Sequence, residues 1–282
     1  MIGFTVDVEF VWGFQAKVVG YSKTSPSFYY PPPTTILGAL AEYVAKEYAL
    51  GEHKGKEIIP KLAQNLLALG IRPLNCIPLK FSDINKLIAI RLTGGTKYPT
   101  PSDPYGSFDA PAMGKTILAS LNEKPPQLRI YIVLENDRID IDDRDEIMLD
   151  KQVLWGVHRL GSKESVVSVL TVSDFQPDVK NGRINTTSYS FPLIDGVKLV
   201  SELQPKWVLE TLVNPFKIKA YNENDNPLRN YLAGQNIVKY YLPIMMGPDD
   251  SPLYMLELSH NLCIYELNED EKVIGLCPNR KP

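Results

Sequence analysis

The chain has 282 residues, of which 44% are hydrophobic and 22% are charged, as in a globular protein with a sizeable core. Its formal net charge of −3 argues against a free-standing, non-specific nucleic-acid binder. No apolar run reaches the roughly 18 residues of a membrane helix, and we expect neither a signal peptide nor membrane association, but a cytoplasmic protein. Cys76, Cys263 and Cys277 are odd in number and far apart, so we expect neither a disulfide framework nor a zinc site.

A strand is predicted at the N-terminus, because residues 3–14 alternate between apolar and polar side chains. The connection that follows, residues 15–33, interleaves lysines with aromatic side chains, as do surfaces that contact phosphates and stack bases. Lys17 and Tyr29 are its candidate RNA contacts, although such loop residues are more commonly just solvated.

The first helix is predicted from about Thr35 to Leu50, with its apolar side chains at helical spacing. Three prolines, Pro31 to Pro33, make a stiff approach to it, and Thr34 or Thr35 would cap its first amides. A second helix is predicted from Ile58 to Leu69, ending at Gly70. A strand followed by a helix and further strands is typical of a ferredoxin-like β-α-β unit.

The middle of the chain alternates between short apolar runs and a long segment without periodicity. Residues 76–79, 87–92 and 128–134 are predicted strands. Residues 93–126 carry six prolines and four glycines, so we expect neither helix nor regular sheet there. The candidate RNA contacts in and beside this segment are Arg91, Lys97, Tyr98, Tyr105 and Lys115.

A glycine-containing turn is predicted inside residues 153–172, between two strands of a hairpin. Amides around Gly161 and Ser162, together with Arg159 and Lys163, could grip phosphates without reading bases. His158 lies beside them, and a histidine with Lys163 could instead serve as base and charge stabiliser in RNA cleavage.

The segment from Asp109 to Thr116 differs by one residue from a phosphate-binding P-loop, because Asp109 stands in place of the first glycine. No buried strand precedes it, so we do not predict an ATPase. From about residue 185 the chain changes to short strands, at 188–192, 207–213, 237–244, 253–258, 262–267 and 273–276. We therefore predict two units, residues 1–182 and a mainly β region over residues 183–282.

The initial strand, PPPTTILGALA, the Gly/Pro segment and GVHRLGSKESVVSV together resemble the CRISPR-associated (Cas) protein family five of the RAMP superfamily. The likeness is strongest to the archaeal type I-A form and covers the N-terminal two-thirds of the chain. It implies an α+β protein with a ferredoxin-like, RRM-like domain whose long insertion, here residues 93–126, forms a thumb. One departure is that the turn carries a single glycine.

The resemblance also implies a function. Such proteins belong to the Cascade complex of antiviral defence, where they hold the 5′ handle of crRNA and contact the backbone subunit and the large subunit. We accordingly expect a non-catalytic crRNA-binding subunit that needs no metal or other cofactor. The alternatives are a metal-independent endoribonuclease using His158 and Lys163, and a protein-interaction scaffold without RNA contact.

Overall fold

A computed structural model describes residues 1–18, 24–84, 87–88, 91–98, 100–103, 108–109, 112–142, 145–182, 184–204, 206–218 and 236–278. Within these ranges the helices are α1 (Pro33–Glu47), α2 (Gly51–Asn65) and α3 (Lys151–Trp155). Strands predominate, and the mixture confirms the predicted α+β class.

The strands of the described ranges fall into two halves along the chain. Those of the first half are β1 (Ile2–Phe10), β2 (Gly13–Phe14), β3 (Thr24–Ser25), β4 (Leu66–Pro73), β5 (Cys76–Ile84), β6 (Leu87–Ile88), β7 (Arg91–Thr93), β8 (Thr96–Tyr98), β9 (Phe108–Asp109), β10 (Ala112–Ser120), β11 (Gln127–Leu134), β12 (Arg138–Asp142) and β13 (Asp145–Met148). Those of the second half are β14 (Val167–Phe175), β15 (Asp178–Lys180), β16 (Ile184–Thr187), β17 (Phe191–Pro192), β18 (Val197–Gln204), β19 (Lys206–Val213), β20 (Ile237–Ile244), β21 (Leu253–Leu258), β22 (Leu262–Asn268) and β23 (Glu271–Leu276).

The main sheet has seven strands in the order β14-β1-β11-β4-β23-β22-β15, and all neighbouring pairs are antiparallel. Alternate residues of β1 point to one face, as the sequence predicts. Phe4, Val6, Val8 and Phe10 there share one core with the inner side of α1. The first strand and the buried strand at 128–134 are therefore confirmed.

Helix α1 begins two residues before the predicted start, and the predicted threonine cap is wrong. The N-cap is Pro32, no side chain caps the helix, and a proline occupies its first turn. The carbonyl of Pro32 accepts from the amides of Thr35 (2.8 Å) and Ile36 (3.3 Å). Proline has no amide to satisfy and its φ suits a helix start, so it replaces a hydroxyl cap.

The second helix is displaced relative to its prediction. Helix α2 ends at Asn65, and Leu66 begins β4, so that Gly70 lies inside a strand rather than after a helix. Residues 66–71 are all buried in a strand paired on both sides. An apolar run that is buried on both faces has no alternation, which is why periodicity confused it with a helix.

Part of the segment expected to lack regular structure forms a long strand. All nine residues of β10 pair antiparallel with β5, from Ala112 opposite Ile84 to Ser120 opposite Cys76. On its other side, Gly114 lets residues 25–27 approach β10, because a Cβ there would lie 2.4 Å from the amide nitrogen of Ser27. The expected absence of regular sheet is therefore wrong for residues 112–120, and also for the short paired strands at 96–98 and 108–109.

Of the hairpin predicted at residues 153–172, the first strand is wrong and the second is confirmed. Its first half is α3, whose N-cap Asp150 accepts a hydrogen bond from the amide of Gln152 at 2.8 Å. Only its second half is a strand, β14, on the edge of the main sheet. The local cap and the burial of Val153 and Leu154 favour a helical turn over an extended strand.

The predicted positions of β19 to β23 are confirmed. Of the strand predicted at 188–192 only residues 191–192 are extended, and β16 and β18 were not predicted. The C-terminal strands form the sheets β16-β21-β18 and β17-β20-β19, while β22 and β23 join the main sheet beside β4. The division of the chain near residue 182 stays a prediction; strands from both predicted parts belong to the main sheet.

A disulfide joins Cys263 and Cys277, so the expectation that the cysteines form no disulfide framework is wrong for this pair. Cys263 lies in β22, and Cys277 follows β23, its hairpin partner, bringing the two Cα atoms to 5.0 Å. Sequence separation could not reveal this, because the intervening turn folds the chain back on itself. Cys76 is a buried free cysteine, and burial raises the pKa of its thiol to about 12.

The disulfide should stabilise the fold measurably. It closes a loop with a sequence separation of 14, for which the chain-entropy model gives about 3 kcal/mol. We expect reductant to lower the free energy of unfolding of the natural chain by that order, as measured in urea. The Cys263→Ala, Cys277→Ala variant should start lower and not respond to reductant. Equal unfolding midpoints with and without reductant in the natural chain would contradict this expectation.

Candidate nucleic-acid interface

The candidate site lies at the end of the main sheet where β1 ends and β14 begins. These strands run antiparallel with Phe10 opposite Val167, so the chain leaving β1 meets the chain entering β14. The amide of Gln15 donates to Oγ of Ser165 at 2.9 Å. The amide of Ser162 donates to the carbonyl of Gln15 at 2.8 Å. The predicted turn is therefore anchored to the exit of β1.

The turn has a backbone geometry that requires glycine. Leu160 donates to the carbonyl of Ser165 (3.0 Å), and Ser165 donates to that of Ser162 (2.9 Å), closing a compact loop. Gly161 has φ of +129°, and a Cβ there would lie 2.6 Å from the carbonyl oxygen of Gln15. A side chain would therefore strain the backbone and push the turn away from β1.

A cleft of about 560 Å³ separates this turn from the first half of α1. Its lining is formed by Gln15, Ala16, Lys17, Phe28, Pro32, Thr34, Thr35, Gly38, Ala39, Glu42, Ile59, Arg159, Gly161, Ser162, Val213 and Ile218. The N-terminus of α1 borders it, and no acidic residue lies in the first turn of that helix. The helix dipole therefore adds partial positive charge at this border.

The charged groups of the cleft are two cations and one carboxylate. Arg159 donates to both carboxylate oxygens of Glu42 through the single nitrogen Nη2, at 3.0 and 3.1 Å. Hydrogen bonds from Lys46 and then Arg159 hold the pKa of Glu42 below its usual value. The other guanidinium nitrogens of Arg159 make no hydrogen bond within the described ranges, so that edge can meet a phosphate. Lys17 is exposed at the rim.

The cleft unites four of the predicted site residues, Lys17, Arg159, Gly161 and Ser162. Lys163 is the next residue of the same turn and is exposed. Lys97 is exposed in β8, outside the cleft lining. Three further candidates are not placed: the side chains of Arg91 and Tyr98, and all of Tyr105, lie outside the described residues.

Lys115 lies on the outer face of β10, away from the cleft. Its Nζ is 3.9 Å from a carboxylate oxygen of Glu164 and 5.9 Å from the ring centre of Trp12. This segment does not form a P-loop. Thr116, which stands at the Ser/Thr position of that motif, continues the strand and donates to the carbonyl of Phe28 at 2.6 Å. No helix follows the lysine as a phosphate cradle would need.

Tyr29 belongs to a second cluster. Nζ of Lys80 lies 3.8 Å from the centre of its ring, and Lys80 pairs with Glu210. The amide of Tyr29 also donates to Glu210, at 2.9 Å. Burial raises the pKa of Glu210, and the hydrogen bond from Lys80 opposes that rise. One face of the Tyr29 ring is therefore already occupied by a cation.

His158 is exposed and held loosely. Its Nδ1 is 3.3 Å from the carbonyl oxygen of Gly156, and its Nε2 is 3.9 Å from Glu42. No hydrogen bond joins it to Lys163 in the part of the chain that is described. A general base would need a firmer orientation than these contacts provide.

On the face of the main sheet that points away from α1, the arginine side chains are paired with carboxylates. Arg129 binds Asp7 through two nitrogens, at 2.6 and 2.8 Å, and Glu271 at 2.7 Å. Arg72 shares the same oxygen of Glu271 at 2.7 Å, and the hydroxyl of Tyr189 donates to its other oxygen. The hydrogen bond to Asp7 raises the pKa of Arg129. These cations are committed to carboxylates, so the cleft, not this face, suits phosphate.

Sequence reasoning missed three cleft residues, Gln15, Gly38 and Glu42. Nothing in their local pattern distinguishes them from an ordinary strand exit and helix face. Only the register of β1 and β14, together with the position of α1, brings them together. Among the described residues no group of three side chains could hold a metal ion, and no helix has the length and apolarity to cross a membrane.

The chain is similar in fold and sequence to known proteins. No protein-family model matches the chain. A CRISPR protein from Archaeoglobus fulgidus, known from its crystal structure, is 40% identical with a TM-score of 0.71, and the match covers 98% of this chain and 100% of that one. The fold and this identity define a CRISPR-associated protein.

Two curated relatives come from Saccharolobus solfataricus. The CRISPR system aCascade subunit Cas5 1 is 26% identical over 88% of this chain and 90% of its own length. The CRISPR-associated protein Cas5 2 is 24% identical over 64% of each chain. The chain belongs to the CRISPR-associated (Cas) protein family five, as the sequence motifs predicted.

The glycine turn offers a direct test of the site geometry. We expect Gly161→Ala to lower the free energy of unfolding by about 1–3 kcal/mol, because its φ is unfavourable and its Cβ would approach Gln15. Gly247→Ala is the matched control, since a Cβ there would meet its nearest neighbour at 3.5 Å, an ordinary contact. Equal urea midpoints for both variants would show that the turn is not held as described.

Proposed function

We propose that this protein is a non-catalytic subunit of a type I CRISPR effector complex that holds the 5′ handle of crRNA in the cleft between α1 and the glycine turn. Membership of family five supports the assembly, because one relative is named as an aCascade subunit. The observation that carries the RNA role is the convergence of Lys17, Arg159 and the glycine turn on one cleft.

The strand order supports the ferredoxin-like part of the proposal. Counting only the strands β1, β4, β11 and β14, the sheet order is fourth, first, third, second, with helices after the first and third of them. This is the arrangement expected of a β-α-β-β-α-β unit. The thumb would then be residues 93–126, an insertion before β11 to which β10 belongs.

Backbone contacts rather than base reading would dominate at the turn. The guanidinium edge of Arg159 that makes no hydrogen bond among the described residues suits a phosphate oxygen. The amides of Leu160, Ser162 and Ser165 already donate to carbonyls, so the cations rather than these amides would hold the phosphate. The net charge of −3 supplies no long-range attraction for RNA. The isolated subunit should therefore bind RNA weakly, with the backbone and large subunits supplying the rest of the site.

The second candidate is a metal-independent endoribonuclease using His158 and Lys163. The position of His158 beside Arg159 favours it, but the loose contacts of His158 do not supply an oriented base. The two functions differ in one measurable result, the length of a precursor RNA after incubation with the protein.

The phosphate role predicts a change in salt dependence. In the reconstituted complex, Arg159→Ala with Lys163→Ala should weaken retention of crRNA, because two cations no longer release counterions. The slope of log affinity against log salt should fall by about 0.7 per lost contact. Lys198→Ala, an exposed lysine on β18 paired with Glu257, is the control and should leave the slope unchanged.

His158→Ala should change neither RNA length nor retention. Loss of precursor processing in that variant would replace the proposed function by the endoribonuclease. An unaltered slope in the double variant would remove the phosphate role from the turn.

A further inference from the structure

The interior of the cleft differs chemically from its rim. The cations stand at the rim, whereas the walls include Ala16, Phe28, Ala39, Ile59 and Val213. Phosphates cannot use apolar walls, because they remain solvated or bound to donors. A flat group with an apolar face can pack against these walls, and every unpaired nucleobase has such a face.

Gly38 provides the first sign that the space is kept open. It lies within α1 and lines the cleft, although glycine is, after proline, the least favourable residue inside a helix. No packing within the described part of the chain requires it, since a Cβ at this position would meet none of the described atoms within 4 Å. The missing side chain therefore serves the volume of the cleft rather than the fold.

Gln15 provides the second sign. Only 7% of this residue is exposed, it lines the cleft, and its Nε2 has no hydrogen-bond partner among the residues that the structure describes. A buried amide without a partner is unfavourable, and such groups in native proteins call for an explanation. Its terminal torsion is broad, so a ligand that enters the cleft can turn the amide and accept from it.

We propose that the cleft seats one unstacked nucleobase of the bound single-stranded RNA, and that Gln15 reads its edge. The phosphate beside that base would lie on Arg159 and the turn. The charged rim would then bind the phosphate of one nucleotide, and the apolar walls would contact its base. A volume of about 560 Å³ is within the range of small-ligand sites. This inference rests on the proposed function and assigns the turn and the cleft to separate parts of the same nucleotide.

The first test fills the cleft. In the reconstituted complex, RNA carrying 2-aminopurine at successive handle positions should show one position whose fluorescence changes on binding. Gly38→Leu should abolish that change and weaken RNA retention by about tenfold, the order of one lost stacking contact. Gly38→Ala should have a smaller effect. Both variants should melt at or above the temperature of the natural chain, because each improves the helix.

The second test changes the reading group. Gln15→Leu should reduce discrimination among the four bases at that position by about fivefold, the order of one hydrogen bond. Its main-chain bonds to Ser162 and Ser165 do not involve the side chain, so the turn should stay in place. Gln15→Glu should favour a base that presents a donor.

The outcomes separate this inference from the proposed function. If RNA retention does not depend on Arg159 and Lys163, the proposed function fails. If it does, but Gly38→Leu and Gln15→Leu leave both the fluorescence change and the base preference intact, only the seated base is refuted.

Discussion

The site depends on one constraint, the antiparallel register of β1 and β14. With Phe10 opposite Val167, residues 11–18 and 158–166 must meet at the same end of the sheet. The main chain of Gln15 then binds both Ser162 and Ser165, which fixes the turn. Because β1 also buries its apolar face against α1, the same strand sets the distance from the helix to the turn. A shift of one residue would reverse the faces of β1 and dismantle the cleft.

The distribution of charge supports the proposed RNA site in the cleft rather than on the opposite face of the main sheet. RRM-like folds commonly bind RNA on the sheet, but here Asp7 and Glu271 occupy the guanidinium groups of Arg129 and Arg72. In the cleft, Glu42 engages only one nitrogen of Arg159. Glu42 thereby orients the guanidinium group of Arg159. The other guanidinium nitrogens make no hydrogen bond within the described ranges and can meet a phosphate, so Glu42 is a positioning residue for Arg159.

Much of the fold was predictable where a local pattern is decisive. Alternation found β1 and the C-terminal strands, and the proline run marked the approach to α1. The failures share a cause: β4 and β10 owe their structure to strand partners distant in sequence, and the disulfide owes its existence to a hairpin turn. The turn around Gly161 was recognisable from its composition. Gly38 and Gln15 acquire meaning only from the space between elements, which no local pattern encodes.

The most direct measurement is photo-crosslinking of 4-thiouridine-containing crRNA in the assembled complex, followed by mass spectrometry of the joined peptides. The account predicts crosslinks within residues 15–17, 34–42 and 159–163, which surround the cleft. Crosslinks concentrated instead on the strand face that carries Asp7 and Arg129, with none at the cleft, would contradict it.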